Sequence, residues 1–123
     1  MNSKVKMVLR IVFALALLFF GGNHVFHFFD PPTPPEGAQG YWAILTDIKV
    51  ILVVGIVEII SAIALIFDRF AALMMLILMS ISVNAMLYHI SLEPGAIGMG
   101  LFLFVMNILL LIAYKDKYQA LLS

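Results

Sequence analysis

Apolar residues run through this chain in four long blocks, and polar residues mark where each block stops. The first block runs from about Met7 to Phe29, between Lys4/Lys6 and Asp30. The second runs from about Ile48 to Phe67, preceded by Tyr41 and Trp42 and stopped by Asp68 and Arg69. The third runs from Phe70 to about His89 and ends in "SLEPG"; the fourth runs from about Ile97 to Tyr114 and closes on "KDKYQ". Each block can be matched to the roughly 20 residues that cross a bilayer as a helix. The pattern predicts an all-α, integral membrane four-helix bundle. The "FDRF" joint is so short that the helices on either side of it must be antiparallel neighbours. Residues 30–40, "DPPTPPEGAQG", are expected to form an outer, Pro-rich, rigid connector.

Composition points the same way. Of the 123 residues, 64% are hydrophobic and 11% charged, against about 25% charged in a soluble domain. A soluble domain of this size buries only about two-thirds of its chain surface and could not hide four such blocks.

The net charge of zero conceals an asymmetry. Lys4, Lys6, Arg10, Arg69, Lys115 and Lys117 fall on one side of the predicted bundle, and only Lys49 falls on the other. By the positive-inside rule both termini are cytoplasmic and the two proline-containing loops face outward. A cleaved signal peptide over residues 1–29 is the competing reading. Its apolar part is long, and no small-residue cleavage site precedes Asp30.

There is no cysteine, which excludes a thiol–disulfide mechanism using this chain's own dithiol. No phosphate-binding glycine loop, zinc-type cluster or Ser-His-Asp arrangement is present. Candidate chemistry is confined to polar residues inside the apolar blocks. Depth counting at about 1.5 Å per residue puts Glu58, Ser80, Ser82 and Asn107 near the midplane and Asn84 slightly outward. Asn23 and His24 fall about 10 Å below the outer boundary by the same rise. These residues are expected to share one layer, from the centre to the outer leaflet.

Glu58 is the strongest of them, because an ionisable side chain in mid-bilayer is expensive. Asp47, Ile51, Gly55, Glu58, Ser61, Ala62 and Leu65 share one side of a 3.6-residue helix, a small and polar stripe suited to packing. Lys49 points to the opposite side and is expected to snorkel to the interface. With no cation along its own helix, Glu58 is expected either to be protonated or to share a hydrogen bond with a His or Asn from another helix.

Each residue also has a structural reading. Asn107, Ser80 and Ser82 suit interhelical glue, and Asn84 stands between glue and site. His24 and His27, at i and i+3, have ligand spacing, but two ligands do not make a metal or haem site. The competing reading is that they cap the outer end of the first helix. His24 is expected to face the bundle and His27 the rim. The methionines, Met74, Met75, Met79 and Met86 among them, suit adaptable packing, and Ala96, Gly98 and Gly100 suit close helix approach.

"GGNHVFHFFDPPTPPEG", "VEIISAIALIFDRFAAL", "SVNAMLYHISLEPG" and "AYKDKY", in that order over nearly the whole chain, resemble the DoxX-like family of small four-helix bacterial membrane proteins. The resemblance implies a location in the bacterial inner membrane. It maps the family's Gly-Asn-His stretch onto Gly22, Asn23 and His24, its helix-two Glu onto Glu58, and its "VN…H" run onto Val83, Asn84 and His89. It also implies a Lys one turn before that Glu, where this chain has Gly55. The function it implies is association with quinone-linked sulfur oxidation or with membrane complexes that handle oxidative stress.

Two readings from different classes follow. In the first, Asn23, His24, Glu58, Asn84, His89 and Asn107 bind a quinone-like or other amphiphilic headgroup against Phe20, Phe26, Leu103 and Phe104, and the protein is an accessory subunit of a membrane redox partner. In the second, the polar layer only sets helix register in a non-enzymatic scaffold or assembly protein. Solute transport is a third, weaker reading, since four short helices would need a homo-oligomer to form a pathway. The expected surroundings are the lipid bilayer, with no nucleic acid.

Overall fold

A computed structural model describes all residues from Met1 to Ser123, and it is wholly helical. The elements are α1 (Ser3–Phe26), α2 (Glu36–Asp47), α3 (Val50–Phe67), α4 (Ala71–Leu92), α5 (Ile97–Ala113) and a terminal turn α6 (Gln119–Leu122). Short 3-10 turns at Pro94–Ala96 and Lys115–Tyr118 flank α5. The spans containing α1, α3, α4 and α5 are long and apolar enough to cross a membrane.

Helix ends explain the offsets from the sequence reading. α1 starts at Ser3 because the Asn2 side chain accepts a bond from the Lys4 N–H at 2.7 Å. It stops at Phe26, not Phe29, because His27 turns left-handed (φ 53°) and donates its N–H to Asn23 O. α4 runs one turn beyond His89, to Leu92, before Glu93 and Pro94 end it.

The largest departure is α2. Residues 36–47 are not a continuation of the proline connector but a separate 12-residue helix. Pro35 and Glu36 suit a helix start, through fixed φ and a favourable charge at the positive end. Lys49 breaks it from α3 by turning left-handed (φ 67°). Ala38 is buried, and Trp42 and Leu45 follow it at i+4 and i+7 on the same face.

α1 packs along α3 and α4 along α5. The α3–α4 corner is three residues, Asp68 to Phe70, with Asp68 (φ 53°) and Phe70 (φ 59°) both left-handed. The core sits towards this corner, where Phe13, Leu17, Leu65, Met75, Leu78 and Leu110 are fully enclosed. Phe13 meets Phe102 edge-on, with ring centroids 6.3 Å apart.

The same end is tied by polar contacts. Arg10 donates to the carbonyls of Leu65 (2.9 Å) and Ile66 (3.1 Å), acceptors that the end of α3 leaves unpaired. Tyr114 donates to Asp68, Tyr118 donates to Ala72 O at 2.8 Å, and Lys6 lies 4.1 Å over the Tyr114 ring. The first turns of α1 and the end of α5 therefore meet at one end of the bundle. Towards the opposite end a cavity lies between the two helix pairs. Only 24 of 123 residues are buried. The outer faces carry Leu15, Phe19, Ile60, Ile63, Leu73 and Val105 exposed, a surface that an apolar solvent would cover.

Candidate functional site

Glycines on both helices let α1 and α3 approach closely. A Cβ on Gly55 would lie 2.8 Å from His24 Cβ and 2.9 Å from Gly21 O, and one on Gly21 would lie 2.8 Å from Gly55 O. With no side chain at either position the backbones nearly touch. This contact brings His24, three residues after Gly21, against Glu58, three residues after Gly55. His24 Nδ1 and Glu58 Oε1 are 2.8 Å apart. The Glu58 side chain is 4% exposed and that of His24 is 30% exposed. No Arg or Lys pairs with Glu58, so its polar partner is the imidazole. Gly55, Glu58, Ser61, Ala62 and Leu65 are all buried, as their shared face predicted, whereas Asp47 and Lys49 are exposed. Ser61 Oγ is buried without a hydrogen-bond partner.

The pair forms part of the wall of a cavity of about 490 Å³ between the two helix pairs. Small-molecule sites run from about 300 to 1,000 Å³. Sixteen of its 22 lining residues are hydrophobic. Ala16, Phe20, Val54, Ile81 and Leu103 supply apolar surface, and His24, Glu58, Ser80, Asn84 and His89 supply polar groups. Asn84 donates to Ser80 O at 2.7 Å, which leaves its side-chain carbonyl and one N–H free. His89 is seated where α5 has Gly100; a Cβ there would fall 2.5 Å from His89 Cδ2. His89 Nδ1 lies 3.2 Å from Glu93 O. A carbonyl only accepts, so Nδ1 carries the proton and Nε2 is the nitrogen left for a ligand.

At the α2 end the cavity is bounded by residues whose partnership the sequence did not disclose. Tyr41 stacks on Tyr88 with centroids 5.2 Å apart, and Trp42 meets Tyr88 edge-on at 5.3 Å. Trp42 Nε1 donates to Tyr88 OH at 2.7 Å, and Tyr88 OH donates to Glu93. This bond chain ties α2 to the C-terminal end of α4. The Ala38–Trp42–Leu45 spacing was the available signal for α2, but not for its partner on α4.

Of the six residues singled out from sequence, His24, Glu58, Asn84 and His89 line the cavity. Asn23 and Asn107 do not. Asn23 accepts a bond from the Phe29 N–H at 3.0 Å, holding the chain that leaves α1. Asn107 is fully buried between α4 and α5, where it accepts from Ser82 Oγ at 2.6 Å and donates to Met75 O at 3.0 Å. The single layer expected from depth is thus three separate arrangements, because equal depth does not imply a shared face. Of the expected apolar lining, Phe20 and Leu103 are in place, Phe104 is outside the cavity wall, and Phe26 is 72% exposed. His27 is an exposed cap residue. No group of three His, Asp or Glu side chains converges as a metal centre requires.

Asn107→Ala is expected to destabilise the fold by about 1–3 kcal/mol, since it leaves the Ser82 hydroxyl in the core without its acceptor. Thermal unfolding of the purified protein measures this, and ligand binding in the cavity should be little changed.

No protein-family model, curated protein or solved structure matches this chain.

Proposed function

We propose that this is a multi-pass membrane protein of the DoxX-like type in the bacterial inner membrane. Its cleft would bind a quinone-like amphiphile on behalf of a membrane redox partner. The observation that carries this reading is the wall of the cavity. Its apolar lining is interrupted by a His–Glu pair, an Asn and a second His, all within one 490 Å³ space. Such a wall suits a ligand with a flat, apolar body and a few polar atoms. Each imidazole uses Nδ1 within the protein, so each offers Nε2 outward. Asn84 offers both a donor and an acceptor. A headgroup that accepts hydrogen bonds as a quinone and donates them as a quinol fits this mixture. The chain's own residues bind and orient; electron transfer belongs to the partner.

Orientation follows from charge. The end holding Arg10, Arg69, Lys115 and Lys117 is assigned to the cytoplasm, and the cleft to the outer leaflet. A reporter fused after Ser123 should be active only in the cytoplasm; external activity would reverse the assignment.

The chain carries one tryptophan, and it lines the cleft. Titrating the protein in nanodiscs with a short-chain ubiquinone should therefore quench Trp42 fluorescence saturably. Asn84→Leu should abolish the saturable component. Quenching that stays linear and equal in both proteins would mean simple partitioning into lipid. The scaffold reading would then stand, and it has an observation of its own: Asn107 both accepts and donates inside the core, and the Asn23 carbonyl holds the chain that leaves α1.

A further inference from the structure

We propose that the charged end of the bundle carries a second site, which holds the phosphate of an anionic phospholipid. A cavity of about 530 Å³ lies there, between the start of α4 and the C-terminal turns. Lys6, Lys117, Tyr114 and Tyr118 line its polar part, and Leu73 and Leu76 line its apolar part. It is separate from the cleft described above and shares no lining residue with it.

Charge decides what this cavity accepts. Asp68 also lines it, but that carboxylate accepts a bond from Tyr114 and faces Arg10 Nε at 3.8 Å. Its charge is thereby offset from outside the cavity. Lys6 and Lys117 have no carboxylate partner. Lys6 is held 4.1 Å above the Tyr114 ring, a cation–π contact that fixes the ammonium at the wall without using up its N–H donors. Two ammonium groups with free donors are a phosphate site in kind, since lysine acts there as a point charge. Phe70 adds no capping oxygen at the start of α4 and no acid occupies that first turn, so the only acid near the helix start is Asp68, which Arg10 and Tyr114 engage.

The apolar part decides between a lipid and a free anion. Leu73 is 53% exposed and Leu76 is 39% exposed, one turn apart along the outer face of α4. A phosphate seated by the lysines would direct an attached acyl chain along these residues into the hydrocarbon. Inorganic phosphate would leave the same surface uncovered.

The test uses the full chain, equilibrated in detergent with equal phosphatidylglycerol and phosphatidylcholine and then examined by native mass spectrometry. Phosphatidylglycerol should be retained preferentially. Lys117→Gln should lower that retention about fivefold, the worth of one lysine near an anionic surface. Lys117 is exposed and lies outside the spans, so this variant should fold normally. Lys6→Gln should act in the same direction. Lys115→Gln, at an exposed lysine that does not line the cavity, should leave retention near the starting value. Equal retention of the two lipids would overturn the proposal. So would a loss in Lys115→Gln equal to that in Lys117→Gln, which would signify diffuse attraction without a site. Displacement of the lipid by millimolar inorganic phosphate would also overturn it, in favour of a small-anion site.

Discussion

Gly55→Leu is expected to separate α1 from α3 and to abolish binding in the cleft. Even the first carbon of a new side chain would meet His24 Cβ at 2.8 Å, Gly21 O at 2.9 Å and Val25 Cγ2 at 2.9 Å. One of these atoms is backbone and another is a Cβ, so relief requires the whole helix to move. Two effects compete in the smaller Gly55→Ala change. Removing a glycine from a helix interior favours the helix by up to about 1 kcal/mol. Overpacking a tight interface costs about 1–3 kcal/mol, and here the overlap is with backbone, so the cost wins. Gly98 provides the control, because a Cβ there meets nothing within 4 Å. Gly98→Ala should therefore be neutral or stabilising, while Gly55→Ala lowers the unfolding temperature and Gly55→Leu lowers it further. Thermal unfolding of the three variants in one detergent measures the order. An unfolding temperature for Gly55→Leu equal to that of the parent would show that the close crossing does not hold the helices together.

This crossing also marks how far the sequence could be read. The four apolar blocks were legible because a bilayer admits few structures other than helices. The face of α3 was legible because Gly55, Glu58, Ser61 and Ala62 are small or polar in a segment otherwise made, apart from Ala64 and Phe67, of Ile, Val and Leu. What periodicity cannot supply is which helix faces which. Asn107 and Glu58 fall at similar depth, yet one is locked between α4 and α5 and the other between α1 and α3. The Gly21–Gly55 notch is visible only when two segments 34 residues apart are read together. α2 was hidden for a different reason. With two glycines and a proline-rich approach, "EGAQGYWAILTD" reads as loop. The Ala38–Trp42–Leu45 spacing hinted at a helix, but the partner of that face becomes evident only when Trp42 is seen bonded to Tyr88.

The His24–Glu58 pair should respond asymmetrically to removal of its two halves. Glu58 is nearly enclosed, whereas the His24 side chain retains 30% exposure. His24→Leu leaves an enclosed carboxyl group without its partner, which belongs at the high end of the about 1–3 kcal/mol that an unsatisfied buried polar group costs. Glu58→Leu leaves an imidazole that can still reach solvent or ligand atoms in the cleft, so its cost belongs nearer the low end of about 1–3 kcal/mol. The double replacement removes both polar groups and should cost less than His24→Leu alone, because two apolar groups leave nothing unsatisfied. Glu58→Gln separates folding from binding. Its side-chain carbonyl can still accept from His24 Nδ1, so the unfolding temperature should change little. The amide offers one acceptor oxygen where the carboxyl group has two, so the imidazole is held less firmly and short-chain ubiquinone should bind more weakly. The unfolding of the four proteins gives the coupling energy directly. Additive costs for the two leucine replacements would mean that the 2.8 Å contact contributes nothing to the fold. Unchanged quinone binding in Glu58→Gln would remove the pair from the binding site and leave it a structural bond between α1 and α3.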